Sequence, residues 1–192
     1  IDKKDGTILK EQKYCDESYI QGYVSSIGYG DGKVYVGYDN GRVQAFDENT
    51  LESLWITDEN KNAINSDFVF TNGKLYFGTT AKTTDWYDNG APFSYYVVTT
   101  SDDDKTKPDE EKTMKKVVES KTGKFYLKKG VVLGKYIVIS DTAGTLTMID
   151  TTNDKVTDTK DIGEAFSGNI TYDEMTGTIY FVAGTNDLYG IK

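Results

Sequence analysis

Reactions and ligand binding need side chains that can hold a metal, attack a carbon or carry a proton. Here the supply is narrow, because the sequence has no histidine and one cysteine, Cys15. A Ser-His-Asp or Cys-His nucleophile is excluded, as is any metal site that relies on imidazole. Asp and Glu number 31, and a carboxylate pair can hydrolyse a glycoside. With so many carboxylates close pairs are commonplace, and no spacing singles one out. Asp102, Asp103 and Asp104 with Asp109, Glu110 and Glu111 offer oxygen ligands for calcium. They lack the D-x-[DN]-x-[DN]-G order of a calcium loop, so a solvated acidic loop is expected. No catalytic, cofactor-binding or metal-binding residue is assigned, and the chain is expected not to be an enzyme.

Aromatic residues are the other unusual supply. TTDWYDNGAPFSYY (83–96) gathers Trp86, Tyr87, Phe93, Tyr95 and Tyr96 around a turn-forming Asp-Asn-Gly. Exposed on a loop, Trp86, Tyr87 and Phe93 would suit a protein or carbohydrate partner; the alternative is that the insert packs on its own sheet. Tyr95 and Tyr96 are expected in a strand.

Composition narrows the partners further. A net charge of −9, with 22 scattered Lys and Arg, repels phosphate backbones and argues against nucleic acid. No apolar run reaches the ~18 residues of a membrane-spanning helix. The chain starts at Ile1 without a basic and apolar leader, so any signal peptide is expected outside it and the chain is expected to be a piece of a longer polypeptide.

The elements that must position these residues repeat. DGKVYVGYDNG (31–41), NGKLYFGTT (72–80), LGKYIVISDTAG (133–144) and TGTIYFVAGTND (176–187) share a turn, a Gly and an alternating strand. The turn glycines Gly32, Gly73, Gly134 and Gly177 lie 41, 61 and 43 residues apart. A period near 42 suits a four-stranded antiparallel blade, and the longer interval is accounted for by inserts at 83–92 and 101–111. The reading is therefore all-β, with almost no helix: an outer strand at 1–14, blades at 18–58, 64–119 and 124–163, and a partial blade at 166–192.

AFDENTLESLW (45–55) places Ala45, Asp47, Thr50 and Trp55 in the order A-x-D-x-x-T-x-x-x-x-W. Asp and Thr side chains can close the tight turn by bonding their own backbone. Burying Trp55 at about 25 cal/mol per Å² over roughly 150–250 Å² stabilises by about 4–6 kcal/mol before costs, which favours an anchor between blades over a ligand contact. Together with the preceding GKVYVG strand, the motif resembles the tryptophan-docking repeat of quinoprotein-like (PQQ-repeat) β-propellers. That family's pattern is A-x-D-x-x-T-G-x-x-x-W, and Leu51 stands at its Gly. In TMIDTTNDKVTD (147–158) the Asp recurs as Asp150, but Asp158 occupies the Trp position. VVESKTGKFYL (117–127) also fits, through Thr122 and Gly123, but leaves too few residues for the next inner strand.

IDKKDGTILK (1–10) aligns with FDENTLESLW (46–55), and NDLYGIK (186–192) with a third strand. The N-terminal segment is thus expected to supply the outer strand that the last blade lacks. Three arrangements remain open: a closed ring of four blades, a homodimer completing an eight-bladed ring, or an arc of a longer propeller. The resemblance implies seven or eight blades. It also implies, for the dehydrogenases of this fold, an axial quinone, calcium and a catalytic carboxylate, none of which maps onto a motif here. The function expected is a non-catalytic binding or scaffolding module of a secreted or cell-surface bacterial protein. The alternative is part of a quinone- or calcium-dependent oxidoreductase completed by other segments or a second copy.

Overall fold

The computed structural model describes residues 1–11, 24–60, 62–80, 93–103, 111–120, 130–185 and 187–192. Cys15, the 83–92 insert with Trp86 and Tyr87, Asp104, Asp109, Glu110, Thr122 and Gly123 lie outside them. The described residues form strands and turns without helix. The first sheet holds β1 (Val24–Gly30), β2 (Lys33–Tyr38), β3 (Val43–Asp47) and β4 (Ser53–Thr57) in antiparallel succession. In the second, the inner position is split between β5 (Ala63–Ile64) and β6 (Val69–Thr71). Both pair with β7 (Lys74–Thr80), which is followed by β8 (Phe93–Thr99). Then β9 (Glu111–Lys112) crosses back to join β4, and β10 (Lys115–Ser120) closes the second sheet. The third sheet is β11 (Val131–Leu133), β12 (Tyr136–Ser140), β13 (Thr145–Asp150) and β14 (Lys155–Asp161), and the fourth is β15 (Thr171–Asp173), β16 (Thr178–Ala183) and β17 (Asp187–Ile191).

Local sequence explains the hairpins. Asp31 and Gly32 (φ 53° and 69°) and Asn72 and Gly73 (φ 52° and 68°) occupy the left-handed region, as a two-residue turn between twisted antiparallel strands requires. In the third sheet Gly134 is the first turn residue, because Leu133 pairs with Tyr136. It therefore matches Asp31 and Asn72 rather than Gly32 and Gly73, a one-residue correction to the sequence alignment that makes Val138 the equivalent of Tyr35 and Tyr76.

Strand alternation puts apolar side chains on both sheet faces, and each sheet packs on the next in chain order. Tyr35, Ala45 and Trp55 meet Ile64, Leu75 and Phe77. Tyr76, Tyr95 and Val97 meet Ile137, Ile139 and Ile149. Val138 and Leu146 meet Ile170, Ile179 and Phe181. At the first junction the backbone comes very close: a Cβ on Gly28 would lie 2.7 Å from the Phe68 ring and one on Gly30 2.5 Å from the Phe70 ring. No hydrophobic cluster joins the first sheet to the fourth among the described residues.

Three expectations are corrected. Residues 1–11, expected in an outer strand over 1–14, form none. Asp2 and Asp5 side chains accept from Lys4 and Thr7 N–H, closing local turns that satisfy the backbone, while Ile8 and Leu9 are exposed and give no burial to reward pairing. Lys10 Nζ donates to Asn49 O at 3.2 Å, so this segment lies by the β3–β4 turn rather than along β17. Phe93, expected at a partner surface, begins β8 and is buried in the junction of the second and third sheets, because its place in the strand turns it toward the next sheet. The end of the 101–111 insert is not a solvated loop: Glu111 and Lys112 pair in parallel with Ile56 and Thr57. They extend the first sheet to five strands.

Candidate functional site

The β3–β4 turn is closed by its own side chains. Asp47 Oδ1 accepts from Asn49 N (2.8 Å) and Thr50 N (2.7 Å), and Thr50 Oγ1 accepts from Glu52 N (3.3 Å). The backbone N–H of Thr50, followed by that of Asn49, holds the Asp47 carboxyl below its usual range. Leu51, where the resembling repeat has Gly, adopts φ 55°, so an L side chain occupies a left-handed position.

Beyond this turn Ala45 sits between Tyr35 on β2 and Trp55 on β4. The alanine leaves room for the indole, whose ring lies 5.9 Å from that of Tyr35; Trp55 is 1% exposed. Lys112 on β9 caps it with Nζ 4.7 Å from the ring centroid, while donating to Thr99 O (2.6 Å) and Ser101 O (2.5 Å). Glu111 bonds Arg42 at 2.9 Å. A cation over an indole adds electrostatic attraction to apolar burial. The crossing segment therefore clamps the first two sheets together over Trp55, and two of the carboxylates considered for calcium are separately engaged, Glu111 by Arg42 and Asp102 by Lys33 Nζ at 3.5 Å. Among the described residues no group of three or more carboxylate or thiol side chains gathers at one point.

The same register position is filled differently in the other sheets. On the second, Tyr76 pairs with Val97 and Val97 with Lys115. On the third, Val138 pairs with Met148 and Met148 with Asp158. At the second junction the contact at this position is polar. Asp154, in the β13–β14 turn with φ 57°, accepts from Lys74 Nζ (2.7 Å), Tyr76 Oη (2.6 Å) and Lys115 Nζ (3.2 Å). Burial pushes the Asp154 carboxyl up, but Lys74, Tyr76 and Lys115 outweigh it and hold it below the ordinary value. Asp150 in the same turn is lowered to about 2, first by Lys135 at 2.7 Å and then by Thr152. A cavity of about 180 Å³ remains beside Lys115 and Asp154.

At the third junction the indole position is left open. A groove of about 520 Å³ lies between the third and fourth sheets. Its walls include Val138, Leu146 and Met148 on one side and Ile179 and Ile191 on the other, with Asp158, Lys160 and Lys192 also lining it. All seven residues of β14 are exposed.

The fourth sheet ends the stack with an open face. Tyr35, Tyr76 and Val138 are 0, 0 and 3% exposed because the following sheet covers them, whereas Tyr180 in that position is 36% exposed, beside Val182 and the 72% exposed Leu188. On the first sheet's outward side Ile27 and Tyr29 are also exposed.

The sequence picked out Ala45, Asp47, Thr50 and Trp55, and these four come together around one turn and one junction. It missed Lys112 and Asp154. Asp154 stands four residues after Asp150 as Leu51 does after Asp47, so extending the alignment would have found it; Lys112 carries no local signal.

No protein-family profile matches the sequence, and no curated protein is significantly similar to it. Solved structures do share its fold. BamB from Moraxella catarrhalis is 15% identical, with TM-score 0.63 over 88% of this chain and 46% of its own. The quinohemoprotein alcohol dehydrogenase ADHIIG from Pseudomonas putida HK5 is 11% identical, with TM-score 0.60 over 86% of this chain and 32% of its own. The computationally designed Ika4 protein is 11% identical, with TM-score 0.63 over 95% of this chain and 98% of its own. The chain thus spans less than half of BamB and of the dehydrogenase. At these identities the likeness is one of fold, and the fold is the β-propeller, built here from four consecutive antiparallel blades.

Proposed function

We propose that this chain is a non-catalytic binding or scaffolding module that recruits a protein partner at a bacterial cell surface or after secretion. The observation that carries the reading is the open face of the fourth sheet. Tyr180, Val182 and Leu188 occupy the side that each earlier sheet packs against its successor, so the surface already has the shape and apolarity of a blade junction. Contiguous exposed apolar side chains favour association. A second copy offering Ile27 and Tyr29 is one candidate occupant, which would continue the stack toward an eight-bladed ring; a further segment of a longer chain is another.

The test is the mass in solution together with surface substitution. The 21.4 kDa chain is expected to associate with itself or with a partner protein, and Tyr180→Glu with Leu188→Glu is expected to abolish that association while leaving the far-ultraviolet circular dichroism unchanged. Association unaffected by both substitutions would sink the reading. So would a quinone-like absorption spectrum of the purified protein, which would favour the oxidoreductase alternative.

A further inference from the structure

The geometry points to a second binding site: the groove between the third and fourth sheets accepts the tryptophan of an extended partner segment that adds to the outer edge of β14. It names one kind of partner for the binding-module reading and rests on that reading, but it uses a different surface.

The first junction supplies the template. There Trp55 fills the space beside Ala45, and the edge of β4 takes up a fifth, parallel strand whose Lys112 side chain lies over the same indole. A side chain on a fifth strand therefore reaches the docking position. At the third junction that position carries Asp158, paired with Met148 as Trp55 is with Ala45, and about 520 Å³ stays open, within the roughly 300–1,000 Å³ of sites that hold small organic groups. Val138, Leu146 and Ile179 belong both to the groove and to the core joining the two sheets, so an inserted indole continues an existing interface. Lys160 and Lys192 can lie against an indole face, and the Asp158 carboxylate can accept its N–H, which Phe or Leu would not offer. Among the described residues β14 pairs with β13 alone, leaving a row of backbone groups for an incoming strand.

The experiment titrates the full chain with a dye-labelled, acetylated and amidated peptide of sequence ESLWITD, the chain's own segment 52–58, and reads fluorescence anisotropy. Saturable binding is expected, weakened at least tenfold by replacing the peptide's Trp with Ala and at least tenfold by Asp158→Trp, which fills the groove from within. Met148→Trp fills it from the adjacent strand and serves if the first variant does not fold. No binding, binding indifferent to the peptide's Trp, or full binding to both filled variants would overturn the proposal. N-acetyltryptophanamide competing as well as the peptide would overturn the strand-addition part. Tyr180→Glu is expected to leave peptide binding intact, so failure of the groove and failure of the open-face reading are separate results.

Discussion

Leu51 and Asp154 share one backbone conformation, φ 55° and 57°, four residues after the aspartate that closes each turn, and replacing each by Gly should differ in cost. A left-handed L residue costs about 1–2 kcal/mol, and Gly returns about 0.5–1 kcal/mol of that through the greater freedom of its unfolded chain. That net gain of about 0.5–1 kcal/mol is offset by losing the apolar burial of a partly buried leucine, about 1 kcal/mol, so Leu51→Gly is expected to be close to neutral, with no polar contact across a junction to lose. Asp154→Gly relieves the same strain but removes an acceptor for Lys74, Tyr76 and Lys115. Hydrogen bonds to a charged group contribute about 1.5–3 kcal/mol; taking the low half because Lys115 is largely exposed, the net change is a loss of about 0.5–2 kcal/mol. Urea unfolding followed by circular dichroism reads both, with the midpoint as the measure and an unchanged slope confirming that the same surface unfolds. Equal losses for the two variants would refute the idea that the left-handed residue of the second turn is retained for its contact across the sheets while that of the first is not.

Other outcomes follow from the same geometry. Trp55→Ala should cost about 3–5 kcal/mol as a large core truncation, read from the urea midpoint, and a loss under 1 kcal/mol would remove Trp55 as the anchor of the first junction. Lys112→Met keeps the apolar stem but loses the bonds to Thr99 and Ser101 and the charge over Trp55, and should cost about 1.5–3 kcal/mol; a stability equal to the parent's would show that the crossing strand alone makes the clamp. Asp150 has a folded value of about 2 against 3.8 unperturbed, so its contribution is complete above the unfolded value and disappears as the pH falls toward 2. The parent should lose thermal stability between pH 4 and 2 more steeply than Asp150→Asn, and parallel acid profiles would contradict this.

Periodicity carried most of the fold. Alternating strands after Asp-Gly and Asn-Gly turns are local signals, since side-chain direction and turn conformation depend on neighbouring residues, and they marked the four blades. The Asp47–Thr50 turn was legible for the same reason. Where the turn chemistry differed, at Gly134, counting glycines misplaced the register by one and hid the equivalence of Tyr35, Tyr76 and Val138.

What the sequence determined by itself was therefore the repeat, the all-β class, the absence of histidine chemistry and the vacancy at Asp158, because each is written in residue type and spacing. Tertiary structure decided how that vacancy matters. Only the stacking of sheets turns one substituted aspartate into a groove between Val138 and Ile179, and exposes Tyr180 where Tyr35 and Tyr76 are covered. Only a chain crossing set by parallel pairing, 57 residues away in sequence, brings Lys112 over Trp55. Such contacts depend on which faces meet, and strand alternation records that a side chain points to a face, not what stands opposite it.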